Sequence, residues 1–246
     1  MQPLRSFLII LAVAFSLKAS AELSFTADKV DFGTIYEADG KKTKRIYATN
    51  TGDSPLTIVK ISPTCGCTAV SFDRDPIMPG DSAWIDLVYN PYRRPGRFEK
   101  AVKVQPSEGE LIHVPITGLV VATPESVDHL FPSHAGLLRV SETHFHTLRP
   151  ISKVRSFYCQ AYNDGDKPIY ISIDSDDGPS VDAVYDKEPL MPGEIMTIGI
   201  YVNPQLERTP GLHEYKLRLY TATDASSLKN AEPTLLTINT EIAPRD

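Results

Sequence analysis

One set of turn motifs occurs twice at a constant offset, and this limits what the chain can fold into more than any other feature. Asn50-Thr51-Gly52-Asp53-Ser54-Pro55-Leu56 recurs as Asn163-Asp164-Gly165-Asp166-Lys167-Pro168-Ile169, 113 residues on. Ile77-Met78-Pro79-Gly80 recurs as Leu190-Met191-Pro192-Gly193, and Asn90-Pro91 as Asn203-Pro204, at the same offset. Pro95-Gly96 recurs as Pro210-Gly211 at an offset of 115, so one loop has gained two residues. Three anchors in constant register make the chain two copies of one domain of roughly 100 residues, a size that can bury its own core. The expected organisation is residues 1–21 as an export signal, 22–121 as the first domain, 122–136 as a linker and 137–246 as the second domain.

Each copy reads as strands. Residues 29–35, 44–50, 56–61, 68–72, 83–89, 98–104 and 111–119 are short and rich in β-branched and aromatic residues, with turn chemistry between them. Proline numbers 20 against 14 glycines, and proline disfavours helix interiors. In residues 83–89, Ala83, Ile85, Leu87 and Tyr89 share one face, while Trp84, Asp86 and Val88 share the other. Met196, Ile198, Ile200 and Val202 repeat the inner positions. About seven half-buried strands per copy suit an all-β fold of two tandem immunoglobulin-like antiparallel β-sandwiches. Residues 127–131 of the linker are expected to make a short helical turn. Residues 111–119 contain Pro115 and read as an edge strand with one open side.

Residues 1–21 have the form of a signal peptide. Arg5 is a positive start, residues 7–17 are apolar but shorter than a membrane span of about 20, and Ala19-Ser20-Ala21 fits a small-residue cleavage site. No later apolar run is long enough to span, so no membrane span is expected after cleavage. The expected location is outside the cytoplasm, in the periplasm or else the exterior, where disulfides persist. Lys+Arg number 25 against 31 Asp+Glu, a net −6, which becomes −8 once Arg5 and Lys18 are removed. With no basic stripe, the chain has no electrostatic footprint for nucleic acid.

The ordered motifs Val30-Asp31-Phe32-Gly33-Thr34-Ile35, Asn50 to Leu56, Thr64-Cys65-Gly66-Cys67-Thr68, Ile77 to Gly80 and Tyr89-Asn90-Pro91 carry a resemblance. Together they resemble the immunoglobulin-like domain of unknown function abundant in exported proteins of Bacteroidota. That domain is similar to the wider ASPM–SPD-2–Hydin group of β-sandwiches. The second copy matches less well, with Phe145-His146 in place of Phe32-Gly33 and no Cys-Gly-Cys. The resemblance implies a sandwich in the cell envelope and implies no catalytic residues.

Cys65-Gly66-Cys67 is the one chemically pointed motif. If the stretch is extended, both sulfurs lie on one side and could share Cu(I). A turn at Gly66 would instead allow a local disulfide, near the upper limit of Cα separation and easily reduced. The third reading is two small packed residues with no chemistry. In the second copy Gly178 and Ser180 hold these positions, so the corner can be built without thiols. Cys159, at the position of Ile46, reads as a buried free thiol. His144 and His146, with His129 and His134, are either a polar surface or ligands for zinc or copper. Asp174-Ser175-Asp176-Asp177-Gly178 starts like a calcium loop, but its twelfth position is Tyr185, and it reads as an acidic turn. Trp84 and Val88, with Tyr201 on the equivalent face of the second copy, form either an interaction surface or a face buried between domains.

No motif of nucleophilic, metal-hydrolytic or phosphate-binding catalysis is present. The expected function is a non-enzymatic envelope protein, with no cofactor, that binds another envelope protein. The alternatives are thiol redox or Cu(I) handling at Cys65 and Cys67, and a periplasmic chaperone that acts by strand addition.

Overall fold

The structure is a computed structural model and describes residues 22–175 and 177–244. The expected signal peptide lies outside the described residues, as does Asp176 of the acidic turn.

The first half is eight strands: β1 (Leu23–Phe25), β2 (Val30–Tyr36), β3 (Lys42–Asn50), β4 (Ile58–Pro63), β5 (Thr68–Phe72), β6 (Ser82–Tyr89), β7 (Gly96–Pro106) and β8 (Ile112–Val121). They form two four-stranded sheets, ordered β1-β3-β6-β5 and β2-β8-β7-β4. A helix, α1 (Pro124–Leu130), follows. The second half has β9 (Ser133–Ala135), β10 (Leu138–Val140), β11 (His144–His146), β12 (Arg155–Tyr162), β13 (Tyr170–Ser175), β14 (Val181–Val184), β15 (Ile195–Val202), β16 (Gly211–Ala222) and β17 (Thr234–Ile242). Its sheets are ordered β14-β15-β12-β10-β9 and β11-β17-β16-β13. Strand for strand this is the first arrangement with β9 added. The fold is all-β, and its ladders are antiparallel except β2–β8 and β11–β17.

Register repeats with the sequence. Ile46 faces Ile85 in β3–β6, and Cys159 faces Ile198 in β12–β15. The inner positions read from alternation are buried in both copies. In the first core Tyr89 stacks on Phe98 with ring centroids 4.1 Å apart, and Phe32 leans on both. Both copies follow the Asn-Pro pair with a turn capped by the asparagine, Asn90 accepting from Tyr92 N and Asn203 from Gln205 N, so the two inserted residues fall after that turn and before Pro210.

Each repeated turn is built on one asparagine with no solvent exposure. The Asn50 amide donates to Ser54 O at 2.8 Å and Ile77 O at 2.9 Å, and its Oδ1 accepts from Gly52 N at 3.0 Å. Asn163 donates to Lys167 O and Leu190 O at 2.8 Å and accepts from Gly165 N at 2.9 Å. Its backbone carbonyl also accepts from Gly193 N at 2.8 Å, as that of Asn50 does from Gly80 N. Gly80 and Gly193 have φ of +85° and +76°, which explains why glycine follows proline in both motifs. The network clamps Leu56 to Ile77 and Ile169 to Leu190 in isolated antiparallel bridges.

Three expectations are corrected. Residues 111–119 are not an edge: β8 lies between β2 and β7. Its pairing with β2 begins at Ile116, one residue beyond Pro115, so proline's missing N–H costs that ladder nothing. The linker helix runs Pro124–Leu130 rather than over 127–131, because Pro124 is preset for the first turn and Thr123 caps it through Ser126 N. Residues 133–135, read as linker, pair with β10 and extend the second sandwich.

Truncating either asparagine takes this partner from one carbonyl, of Ser54 or Lys167, and one amide, of Gly52 or Gly165, while the Ile77 and Leu190 carbonyls keep their bonds from Leu56 N and Ile169 N, a cost of about 2–4 kcal/mol. Trp84 is the single tryptophan and sits in the first sandwich. Asn50→Ala therefore lowers the urea midpoint followed by tryptophan fluorescence. Asn163→Ala moves that midpoint less while shifting the circular dichroism transition.

Candidate functional site

The Cys-Gly-Cys motif occupies the corner between β4 and β5. The chain here turns rather than running extended, which corrects the same-side strand geometry. The Cα atoms of Cys65 and Cys67 are 5.2 Å apart and the sulfurs are joined in a disulfide. That separation is inside the ordinary range, not at its limit. Gly66 is exposed and a Cβ there would meet nothing within 4 Å, so the bend does not depend on close packing at the glycine. Cys67 is buried and Cys65 half-buried. The Thr68 hydroxyl lies 3.6 Å from Cys65 Sγ and 3.8 Å from Cys67 Sγ. Sulfurs bonded to one another are not the free thiolates a Cu(I) site requires.

The disulfide lines a cleft of about 390 Å³ whose other walls include Tyr89 and Phe98. Arg94, Arg97 and Lys100 stand around it. Arg97 is tied to Glu194 at 2.6 Å. Arg94 donates to the Tyr92 carbonyl, and neither Arg94 nor Lys100 has a carboxylate partner among the described residues.

The second constellation is on the outer face of β3 and β6. Trp84 and Val88 point away from the core and are half-buried, as alternation implies. Tyr47 lies opposite Trp84 across the ladder and is 45% exposed. The Arg45 guanidinium sits over the indole, 5.0 Å from its centroid, and grips Asp86 at 2.6 and 2.7 Å. The hydrogen bond from Arg45 holds the Asp86 carboxyl below the usual carboxylate range. Tyr47 and Arg45 were missed in the sequence because they come from a different strand. Their signal was alternation in β3, where Ile46 and Ala48 face in. Tyr201 belongs to β15 in the other sandwich, beside Ser156 and Asp182, and does not join this cluster.

A third feature ties the halves together. Glu37, 7% exposed, accepts from Arg93 N at 2.7 Å, Thr123 N at 3.0 Å and Ser126 Oγ at 2.7 Å. Burial alone would raise its pKa, but these bonds outweigh burial and hold it below the usual carboxylate range. The carboxylate thus anchors the start of α1 to the first sandwich. At the far end Phe131 stacks on Tyr162 of the second, with centroids 5.2 Å apart.

The remaining candidates separate. Cys159 is a buried free thiol bonded to Glu142 O, and burial pushes its pKa up. His144 and His146 share an exposed face of β11, while His129 contacts Arg93. Among the described residues no three His, Cys, Asp or Glu side chains gather as a metal-binding group. Asp177 accepts from Lys216 N at 2.6 Å, a structural bond. No helix among the described residues is long and apolar enough to cross a membrane.

Residues 23–120, the first sandwich, match the family described as protein of unknown function, DUF1573. The motifs that carried the resemblance lie within them. No curated protein matches the chain. Among solved structures, the chain is similar to a protein of unknown function from Porphyromonas gingivalis W83, at 15% identity over 89% of this chain and 99% of that one, with a TM-score of 0.36. It is also similar to the ASH / PapD-like domain 7 of human CEP192, at 8% identity over 46% and 89%, TM-score 0.36. WR4, an MSP family member of C. elegans, aligns at 10% identity over 44% and 99%, TM-score 0.34.

Glu37 stabilises the fold as an anion. Its contribution is complete above the ordinary glutamate pKa of about 4.3 and is lost as pH falls through its lower folded value. Glu37→Gln therefore costs about 1–3 kcal/mol at pH 7. In urea unfolding repeated from pH 7 downward, the gap between wild type and variant narrows below the ordinary glutamate pKa.

Proposed function

We propose that this chain is a non-enzymatic binding protein of the cell envelope, exported to the periplasm, whose partner is another envelope protein. The observation that carries the reading is the Trp84–Tyr47–Arg45 cluster. Tryptophan, tyrosine and arginine are the residues that dominate binding energy at protein interfaces. Here they sit side by side on a sheet face turned away from the core. The second copy makes the same sheet with Thr197, Gln160 and Tyr158 at these positions, so the fold does not require the cluster. A net negative charge argues against nucleic acid as a partner. No cofactor is needed for the reading. Strand addition loses its support, since the strand that suggested it lies inside its sheet.

The test is capture of partners from envelope extract under gentle crosslinking, followed by affinity measurement with the recovered protein. Trp84→Ala should weaken binding by about 2 kcal/mol, roughly 30-fold. Tyr158→Ala, at the corresponding place in the second copy, should leave it unchanged. A partner held equally well by Trp84→Ala, or no partner at all, contradicts the reading.

A further inference from the structure

We infer that Cys65–Cys67 is a thiol–disulfide exchange site for an anionic thiol, a cysteine flanked by carboxylates on a peptide. This goes beyond the binding reading and does not rest on it.

The first observation is that the second copy builds its corner without the bond. A corner is made at this place in both copies on corresponding anchors, the second as a 3-10 turn, Gly178–Ser180, with Gly178 at φ +65°. Asn90 N donates to Cys67 O at 2.8 Å, and Asn203 N to Ser180 O at 2.8 Å. Ala101 N donates to Thr64 Oγ1 at 3.0 Å; at the matching place Lys216 N donates to Asp177 Oδ2. Cys67 and Ser180 are buried to the same degree, 5% and 6% exposed. Backbone and neighbours thus hold the second corner with no sulfur in it. The disulfide joins residues only two apart in sequence, so it removes little freedom from the unfolded chain.

The second observation is the setting. Both cysteines line the open cleft, Cys65 half-buried and Cys67 buried. The cations Arg94 and Lys100 flank the cleft without carboxylate partners among the described residues, and Arg97 adds a third charge shared with Glu194. Such a cleft draws in an anion and stabilises the thiolate left behind.

Cys65, the more exposed residue of the pair, defines the steps. An incoming thiolate attacks Cys65 Sγ; the Cys65–Cys67 bond breaks and Cys67 leaves as thiolate. A second thiolate then attacks the incoming sulfur of the mixed disulfide and releases Cys65. Two external thiols become one disulfide, the Cys65–Cys67 disulfide becomes two thiols, and the two protons given up by the external thiols end on Cys65 and Cys67.

The probe is glutathione, a tripeptide thiol with two carboxylates, compared with the neutral 2-mercaptoethanol at equal thiolate concentration on the folded mature protein. Reduction is followed by thiol labelling and mass spectrometry. Glutathione should react at least about tenfold faster at low salt, an advantage that electrostatic attraction supplies and salt screens. Arg94→Gln with Lys100→Gln, both at exposed positions, should slow both reagents and slow glutathione, with its added carboxylates, several-fold more, erasing most of the advantage. In Cys67→Ser, glutathione disulfide should leave glutathione covalently on Cys65. The inference is overturned if neither thiol reduces the pair in folded protein. Glutathione reacting no faster than the neutral thiol, or an advantage that survives the double substitution, overturns it equally.

Discussion

A buried asparagine amide has one acceptor and two donor hydrogens, and inside a protein each must be satisfied. Asn50 and Asn163 meet that demand with main-chain groups from two distant turns. The side chain therefore does the work of a ladder where no ladder runs. It brings the Asn-x-Gly turn against the Met-Pro-Gly turn and closes the end of each sandwich. No other side chain present at both positions of the repeat offers two donors and an acceptor on a short stem. The rest of the topology, including the left-handed glycines at 80 and 193, is arranged around that amide.

With the fold explained by what the two copies share, their differences become informative. The buried anchors of the two copies match, Asn50 with Asn163 and Cys67 with Ser180, so each copy is a partial control for the other. Cys65 and Cys67 stand where Gly178 and Ser180 suffice, and Trp84, Tyr47 and Arg45 stand where Thr197, Gln160 and Tyr158 suffice. Both departures are in the first sandwich, and both are at least partly open to solvent. Cys67 packs into the core with Cys65 against it at the rim, and the aromatic–arginine cluster lies on the outer face of its sheet. These are the features on which the proposed binding and exchange roles rest. Glu37 belongs to a different category, because it secures the connection that sets α1 on the first sandwich.

Much of this was legible in residue order. The offset of 113 exposed the repeat, and period-two alternation placed Ile85, Leu87, Ile198 and Ile200 inside. Turn residues marked most strand ends within two residues. What escaped was non-local. The strand containing Pro115 is interior because β2, from the far end of the domain, pairs with it in parallel, starting one residue past the proline. The Cys-Gly-Cys corner is a turn because main-chain bonds from β7 and the end of β6 pull it round, and neither is adjacent in sequence. Tyr47 and Arg45 join Trp84 only through strand register, and Glu37 finds its three donors 56, 86 and 89 residues away. Short three-residue strands such as β1 and β9 lack the length to show a period.

The claim that two buried amides hold the sandwiches together is tested most directly by native-state hydrogen exchange at Leu56, Ile77, Ile169 and Leu190. These residues lie outside the named strands, and in an ordinary loop their amides would exchange through small local openings. If the asparagine networks close each domain, all four exchange as slowly as the amides of Ile85 and Ile198 in the central strands, with protection set by global unfolding. Exchange at loop rates, orders of magnitude faster than the central strands, would contradict the account.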